Sequence, residues 1–291
     1  KELVKKYYSY LKRDVKVNTM GAVFNIETTN FCPMRCIMCP RTTKMTRPLG
    51  HMSFELFKRI INQAKKYTHY VQLHHFGDPL MHPEQEKFID YCEDNGVITR
   101  MSINPLLLTE ERAKKLLKSK LAELYISLDG GDNESYKAIR GNAADYEKAV
   151  KNIKKFAELK TEMGKSKPYV LIGMVLMEST SANVEDFEKM WDLPGIDKRI
   201  IKKFSSFGGN EEIAKLGTEE GKEVLFNEKK YPCYKPWKNF TITWDGKVVP
   251  CCYDYNKLYV IGDLNNESLE QVWNSQKMQD LRRQHITGDF G

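Results

Sequence analysis

Phe24-Asn25-Ile26-Glu27-Thr28-Thr29-Asn30-Phe31-Cys32-Pro33-Met34-Arg35-Cys36-Ile37-Met38-Cys39-Pro40 is the stretch that decides how the rest of the chain is read. It opens as a short strand and runs straight into a loop carrying three cysteines, spaced Cys32-x3-Cys36-x2-Cys39. Three thiols crowded on one loop have little reason to pair as disulfides, and thiolates suit iron-sulfur clusters, zinc or copper(I) better than hard cations. A structural zinc site closes on four ligands, usually as two separated Cys-x2-Cys pairs. Three cysteines on a cubane cluster instead leave one iron without a protein ligand, open for chemistry. The competing readings are a zinc knuckle and three unrelated core cysteines.

Outward from this loop, the 291 residues suffice for one large α/β domain with a small appendage. Hydrophobic content of 41% with 29% charged residues describes an ordinary globular chain, and no apolar run approaches the ~18 residues of a membrane span. No secretory signal is visible after Lys1. The net charge of +7 comes largely from lysines in helical patterns such as Arg112-Ala113-Lys114-Lys115-Leu116-Leu117-Lys118, a solvated face. It is compatible with an anionic partner, but no arginine-rich stripe or binding fold points to nucleic acid. The seven cysteines cluster as Cys32/Cys36/Cys39 and Cys233/Cys251/Cys252, with Cys92 apart, which points to metal ligation in a reducing, cytoplasmic compartment.

From Val23 to about Ser206, strand-like and helix-like stretches alternate as six βα units. Strands are expected at Val23–Thr28, Tyr70–His75, Ile98–Asn104, Ala122–Leu128, Tyr169–Met177 and Arg199–Ser206, with helices between them. Six units are two short of a closed eight-unit barrel, so an open, three-quarter barrel is expected. Residues 1–20 are expected to hold an amphipathic helix over Lys1–Val15, 21–210 the barrel, 211–230 a linker with a short helix near Glu211–Lys215, and 231–291 a small extension. In that extension Trp244-Asp245-Gly246 between Phe240–Thr243 and Lys247–Val249 predicts a hairpin with a type I′ turn. A helix follows over Leu269–His285, opened by a Ser268/Gln271 capping box.

Ligands of parallel barrels gather at the C-terminal ends of the strands. There the chain carries the cysteines, then His74-His75-Phe76-Gly77-Asp78-Pro79, then Asn104, then Ser127-Leu128-Asp129-Gly130, and Arg140 in the helix beyond. A Gly-Asp-Pro turn and a surface arginine at a helix end are the ordinary explanations of Asp78 and Arg140. Histidines 69, 74, 75 and 82 near the second strand read as hydrogen-bonded structural residues.

The cysteine loop resembles the CxxxCxxC signature of the radical S-adenosylmethionine (radical SAM) enzymes. The resemblance implies a 4Fe-4S cluster on Cys32, Cys36 and Cys39 whose open iron chelates S-adenosylmethionine, and whose electron splits the cofactor to a 5'-deoxyadenosyl radical. It places Met38 beside the adenine, and Gly77 and Asp78 at the methionyl amino group, with Asp78 one methylene shorter than the family's usual Glu. It further assigns Ser127 to the ribose or carboxylate, Arg140 to the methionine carboxylate, and Asn104 to the cofactor pocket. Cys233, Gly246 and Cys251, with twelve and four residues between them, together with Gly262-Asp263-Leu264 and Val272-Trp273, resemble the SPASM and twitch extensions. That implies an auxiliary 4Fe-4S cluster on Cys233 and Cys251, with Cys252 as a possible hydrogen-atom donor. The Cys-x2-Cys pair that closes such a cluster is not found before Gly291, so its other ligands are expected beyond that residue.

The expectation is therefore a radical SAM oxidoreductase that abstracts hydrogen from a small polar substrate of sugar or aminocyclitol type, resembling the twitch-bearing dehydrogenases in architecture. About twenty residues before the barrel look too few for the peptide-recognition domain of many maturases. Epimerisation, rearrangement and peptide modification are the alternatives, with a non-catalytic electron carrier behind them. A flavodoxin- or ferredoxin-type reductant is the expected partner.

Overall fold

A computed structural model describes residues 8–21, 23–205, 211–218 and 232–290. Strands β1 (Val23–Ile26), β2 (Tyr70–Gln72), β3 (Ile98–Ile103), β4 (Glu123–Ser127), β5 (Tyr169–Val175) and β6 (Lys198–Lys202) pair in parallel in sequence order, as the six βα units predict. Their crossovers contain helices α2 (Phe54–Ala64), α3 (Gln85–Asp94), α4 (Glu110–Lys118), α5 (Asn133–Arg140), α6 (Tyr146–Glu162) and α7 (Val184–Met190), while α1 (Pro40–Thr43) is one turn following the cysteines. The result is the partial α/β barrel expected.

The sequence builds these elements by alternation and capping. In α2, Ser53 accepts the Leu56 N–H, and Leu56, Phe57, Ile60, Ile61 and Ala64 form one buried stripe. Each large apolar side chain of that stripe contributes about 1.5–3 kcal/mol by leaving water. Cys92 lies buried in α3 beside Phe88 and Ile89, a core residue as its spacing predicts.

Several bounds differ from expectation. β2 leaves the sheet after Gln72 rather than His75; Leu73 N–H still reaches Arg100 C=O at 2.8 Å, and His74–Asp78 then forms a loop at the strand end. β6 stops at Lys202, where Leu176 N–H makes the last ladder bond, and Ser206 lies outside the described residues. Of the expected helix over Lys1–Val15, residues 1–7 are outside the described set; helix persists over 8–11 and ends before Arg13, whose φ is 58°.

Beyond the interval that contains α8 (Glu211–Ala214), α9 (Lys235–Lys238) leads into β7 (Asn239–Ile242). β7 pairs in parallel with β1, and β8 (Lys247–Val249) and β9 (Gly262–Asp263) add antiparallel strands beyond it. The extension thus continues the barrel sheet: the order is β6-β5-β4-β3-β2-β1-β7-β8-β9. The hairpin forms, but its turn is not type I′. Gly246 alone has positive φ (+83°), Gly246 N–H bonds Thr243 C=O at 2.9 Å, and Thr243 N–H bonds Lys247 C=O at 2.9 Å. This is a three-residue loop with glycine at the left-handed position, which spares Asp245 a positive φ. α10 (Leu269–Trp273), with the expected capping box at Ser268, and α11 (Gln276–Thr287) follow; Asn274 and Ser275 split the single helix expected there.

The N-terminal segment straps onto this extension. Trp237 Nε1 donates to Asp14 C=O (2.7 Å), Trp273 Nε1 to Thr19 C=O (2.8 Å), and fully buried Arg282 of α11 donates to the carbonyls of Val15, Pro236 and Trp273. No helix among the described residues is long and apolar enough to cross a membrane.

Candidate functional site

β1 delivers the cysteine loop to a cavity of about 610 Å³, and Cys32, Cys36 and Cys39 all line it. The loop is held from outside by α5. Arg35 N–H and Ile37 N–H donate to the carbonyls of Arg140 and Ile139, both at 3.0 Å, so the cysteine loop caps the helix C-terminus. Gly141 (φ +89°) permits this approach, since a Cβ there would stand 3.0 Å from the Arg35 side chain. Arg41 fixes the inner side, its Nε donating to Asn30 C=O at 2.9 Å. Buried Met34 and Met38 also line the cavity.

Burial, aided by Asp78, pushes the Cys32 thiol up to about 12; burial, aided by Cys36, pushes Cys39 up to about 11. Such thiols stay protonated at neutral pH until a cation takes the place of the protons. Among the described residues no three His, Cys, Asp or Glu side chains form a group that could hold a metal ion. The cysteines instead share a cavity far larger than one ion needs, and an all-sulfur donor set around such a space suits a cluster.

The other strand ends meet the same cavity. Gly77 (φ +118°) passes so close to β1 that a Cβ would lie 2.5 Å from Asn30 Cα, which only glycine allows. Asp78 is buried, its carboxylate accepting Leu80 N–H (2.9 Å) and Asn104 N–H (2.7 Å), and burial lifts its pKa to about 6 against those bonds. Asn104 ends β3 and its Oδ1 caps Leu106 N–H at 3.0 Å. Arg140 returns from α5 to donate to Ser127 Oγ (2.6 Å), to reach Cys36 Sγ at 3.5 Å, and to pair with fully buried Asp129. Asn104 Nδ2 and Arg140 Nε are buried without a hydrogen-bond partner among the described residues. Unused buried donors beside a cavity are what a ligand bearing a carboxylate requires.

A second assembly joins this mouth to the extension. Glu27, fully buried just past β1, pairs with Arg47 and accepts the backbone N–H of Phe76 and of Trp244, each at 3.3 Å. His75 Nδ1 lies 3.5 Å from Glu27, and its Nε2 is 2.9 Å from Cys252 C=O; Arg47 Nε donates to Tyr255 C=O at 2.7 Å. Burial opposes ionisation of Glu27, but hydrogen bonds from His75 and Arg47 overcome it and hold its carboxyl below the usual range. The expectation of a structural histidine holds for His75, and for His82, which reaches Met52 C=O at 3.0 Å. Neither Glu27 nor Arg41 was singled out from sequence; a lone acid ending an apolar strand, and an arginine two residues past the last cysteine, were the available signals.

In the extension, Cys233 is buried and Cys251 and Cys252 are partly exposed. Burial raises the Cys233 thiol pKa, with Cys251 close enough to add to it. Cys252 lines the cavity beside Lys235, whose Nζ is 3.9 Å from its sulfur.

Comparison with known proteins agrees with this geometry. The Radical SAM superfamily matches residues 26–190, and an iron-sulfur cluster-binding domain, SPASM, matches 233–289. The Tungsten-containing aldehyde ferredoxin oxidoreductase cofactor-modifying protein of Pyrococcus furiosus is 23% identical over 288 residues, 87% of this chain and 80% of that protein. Among solved structures, SuiB of Streptococcus suis bound to precursor peptide SuiA aligns over 95% of this chain and 69% of its own at TM-score 0.72 and 16% identity. BtrN in complex with AdoMet and 2-DOIA aligns over 92% and 87% at TM-score 0.59 and 15% identity. The chain belongs to the Radical SAM superfamily and carries a SPASM domain at its C-terminal end.

Proposed function

We propose that this radical SAM enzyme holds its 4Fe-4S cluster on Cys32, Cys36 and Cys39, binds S-adenosylmethionine against the neighbouring strand ends, and oxidises a small polar substrate. The observation that carries the reading is that the three cysteines, Gly77, Asp78, Asn104, Ser127 and Arg140 all line one cavity. When bound on Cys32, Cys36 and Cys39, the cluster would supply the electron for reductive cleavage of S-adenosylmethionine, the chemistry that would remove a hydrogen atom from the substrate. The protein's part is to place and to shield. Met34 and Met38 give the cavity an apolar wall, Asn104 and Arg140 offer donors to the cofactor carboxylate, and Ser127 orients Arg140. Asp78, already accepting two backbone N–H groups, keeps further lone pairs for the methionyl amino group.

Cys233 and Cys251 are proposed to hold an auxiliary cluster that accepts the electron a net oxidation releases, and a reducing partner of flavodoxin or ferredoxin type is proposed to supply the first one. A small substrate is favoured by size. About 610 Å³ lies within the range for small-molecule sites and must also accommodate the cofactor. A second reading, modification of a peptide side chain inserted into the same space, draws support from SuiB, whose structure contains a precursor peptide and aligns better than BtrN. The test is to reduce the anaerobically reconstituted protein, add S-adenosylmethionine and measure 5'-deoxyadenosine. Its formation is expected, and a protein with full clusters that makes none is an electron carrier instead.

A further inference from the structure

The cavity carries more positive charge than radical generation uses. Among the described residues Arg41, Arg140, Lys202, Lys203 and Lys235 line it, against the single carboxylate of Asp78. The two arginines are engaged with the cysteine loop and with Asp129. Among the described residues Lys202, Lys203 and Lys235 form no ion pair with any carboxylate, and Lys235 reaches the sulfur of Cys252, at 3.9 Å.

Two of them sit in prepared seats. Lys202, the last residue of β6, places its Nζ 3.4 Å from the ring centroid of Tyr125 on β4. That ring has room only because Gly173 of β5 lies alongside; a Cβ at Gly173 would overlap the Tyr125 hydroxyl. Lys235, opening α9, places its Nζ 3.7 Å over Tyr253. Aromatic faces steady an ammonium without neutralising it, and neither Lys202 nor Lys235 has a carboxylate paired with it among the described residues, although Lys235 Nζ also lies 3.9 Å from Cys252 Sγ. Burial, together with the nearby Arg100, outweighs the opposing effect of Asp129 and depresses Lys202 to about 8.

We infer that Lys202, from the β6 edge of the sheet, and Lys235, from the helix that leads into β7, form an oxyanion subsite that holds a carboxylate or phosphate group of the substrate. The inference rests on the proposed enzymatic reading and deepens it by fixing the substrate's charge. An ammonium is a point charge that accepts either oxyanion, so the geometry names their shared chemistry.

The test uses the reconstituted holoenzyme with S-adenosylmethionine already bound, so that the cofactor's own carboxylate is accommodated. Inorganic phosphate and succinate are titrated separately by calorimetry. One saturable site is expected for at least one of them, weakened about tenfold or more in Lys202→Gln and in Lys235→Gln, as loss of a charge-assisted hydrogen bond entails. Lys202→Arg should retain it, and Lys118→Gln, on the exposed face of α4, should not affect it. Phosphate without succinate identifies a phosphorylated substrate, and the reverse a carboxylate. Saturable binding of neither anion, or equal affinity in both glutamine variants and the parent, overturns the inference. Failure of the parent to form 5'-deoxyadenosine in the same preparation would instead sink the enzymatic reading and leave the anion titration to be judged by itself.

Discussion

The two cysteine groups are built in different ways. Cys32, Cys36 and Cys39 occupy eight consecutive residues and share one support, the C-terminus of α5, whose carbonyls receive the loop's N–H groups. Cys233 and Cys251 stand on either side of a hairpin, and the loop carrying Cys251 and Cys252 is tied down by groups from elsewhere: His75 at the Cys252 carbonyl and Arg47 at the Tyr255 carbonyl. The first group leans on one helix end, the second on the sheet that joins β7 to β1 and on the buried Glu27 assembly. Disturbing the Glu27 assembly should therefore damage the second group before the first.

The largest expected effect that separates them is on metal content. Protein reconstituted with both proposed clusters should carry about eight irons, since each 4Fe-4S cluster contributes four. Cys233→Ala should reduce this to about four, while Cys252→Ser leaves it unchanged. Iron near four in the parent, unaffected by Cys233→Ala, would remove the auxiliary cluster and favour Cys252 as a hydrogen donor.

Next in size is Glu27→Gln. It strands Arg47 as a buried cation and releases the hairpin, and breaking a buried pair costs about 3–5 kcal/mol. Denaturant unfolding measures it, and a change below about 1 kcal/mol would mean that the assembly does not hold the two regions together. Arg282→Met should cost somewhat less, about 2–3 kcal/mol, because three carbonyls lose a charged donor while the apolar stem is retained. Its effect should fall on the extension, and equal protection of both regions in hydrogen exchange would contradict that.

Smallest in free energy is Arg140→Lys, which keeps a cation beside Asp129 but loses the planar fork. S-adenosylmethionine affinity should fall about tenfold, ~1.4 kcal/mol. Unchanged affinity would confine Arg140 to supporting Ser127, Asp129 and the cysteine loop.

The same contrast explains how much was legible beforehand. The barrel followed from alternation and caps, and the first cysteine group from spacing alone, because local residues determine both. Strand ends such as Gln72 and Lys202 were overestimated because aromatic side chains continue through His74–Phe76 and at Phe204 after the ladder has ended. The turn at Trp244-Asp245-Gly246 was misjudged because Asp-Gly serves two hairpin geometries, and loop length decides between them. Glu27, Arg47 and His75 are separated by 20 to 28 positions or more, and only the fold brings them to one point. Lys202 and Lys235 were hidden in a chain with many lysines; a lysine is informative only once the fold shows that it lines the cavity.

The most direct test of the account is the 5'-deoxyadenosine formed by the reduced, reconstituted protein compared with a variant in which Cys32, Cys36 and Cys39 are all alanine. The account predicts formation by the parent and none by the triple variant, whatever happens at Cys233 and Cys251. Continued formation in the triple variant would contradict it.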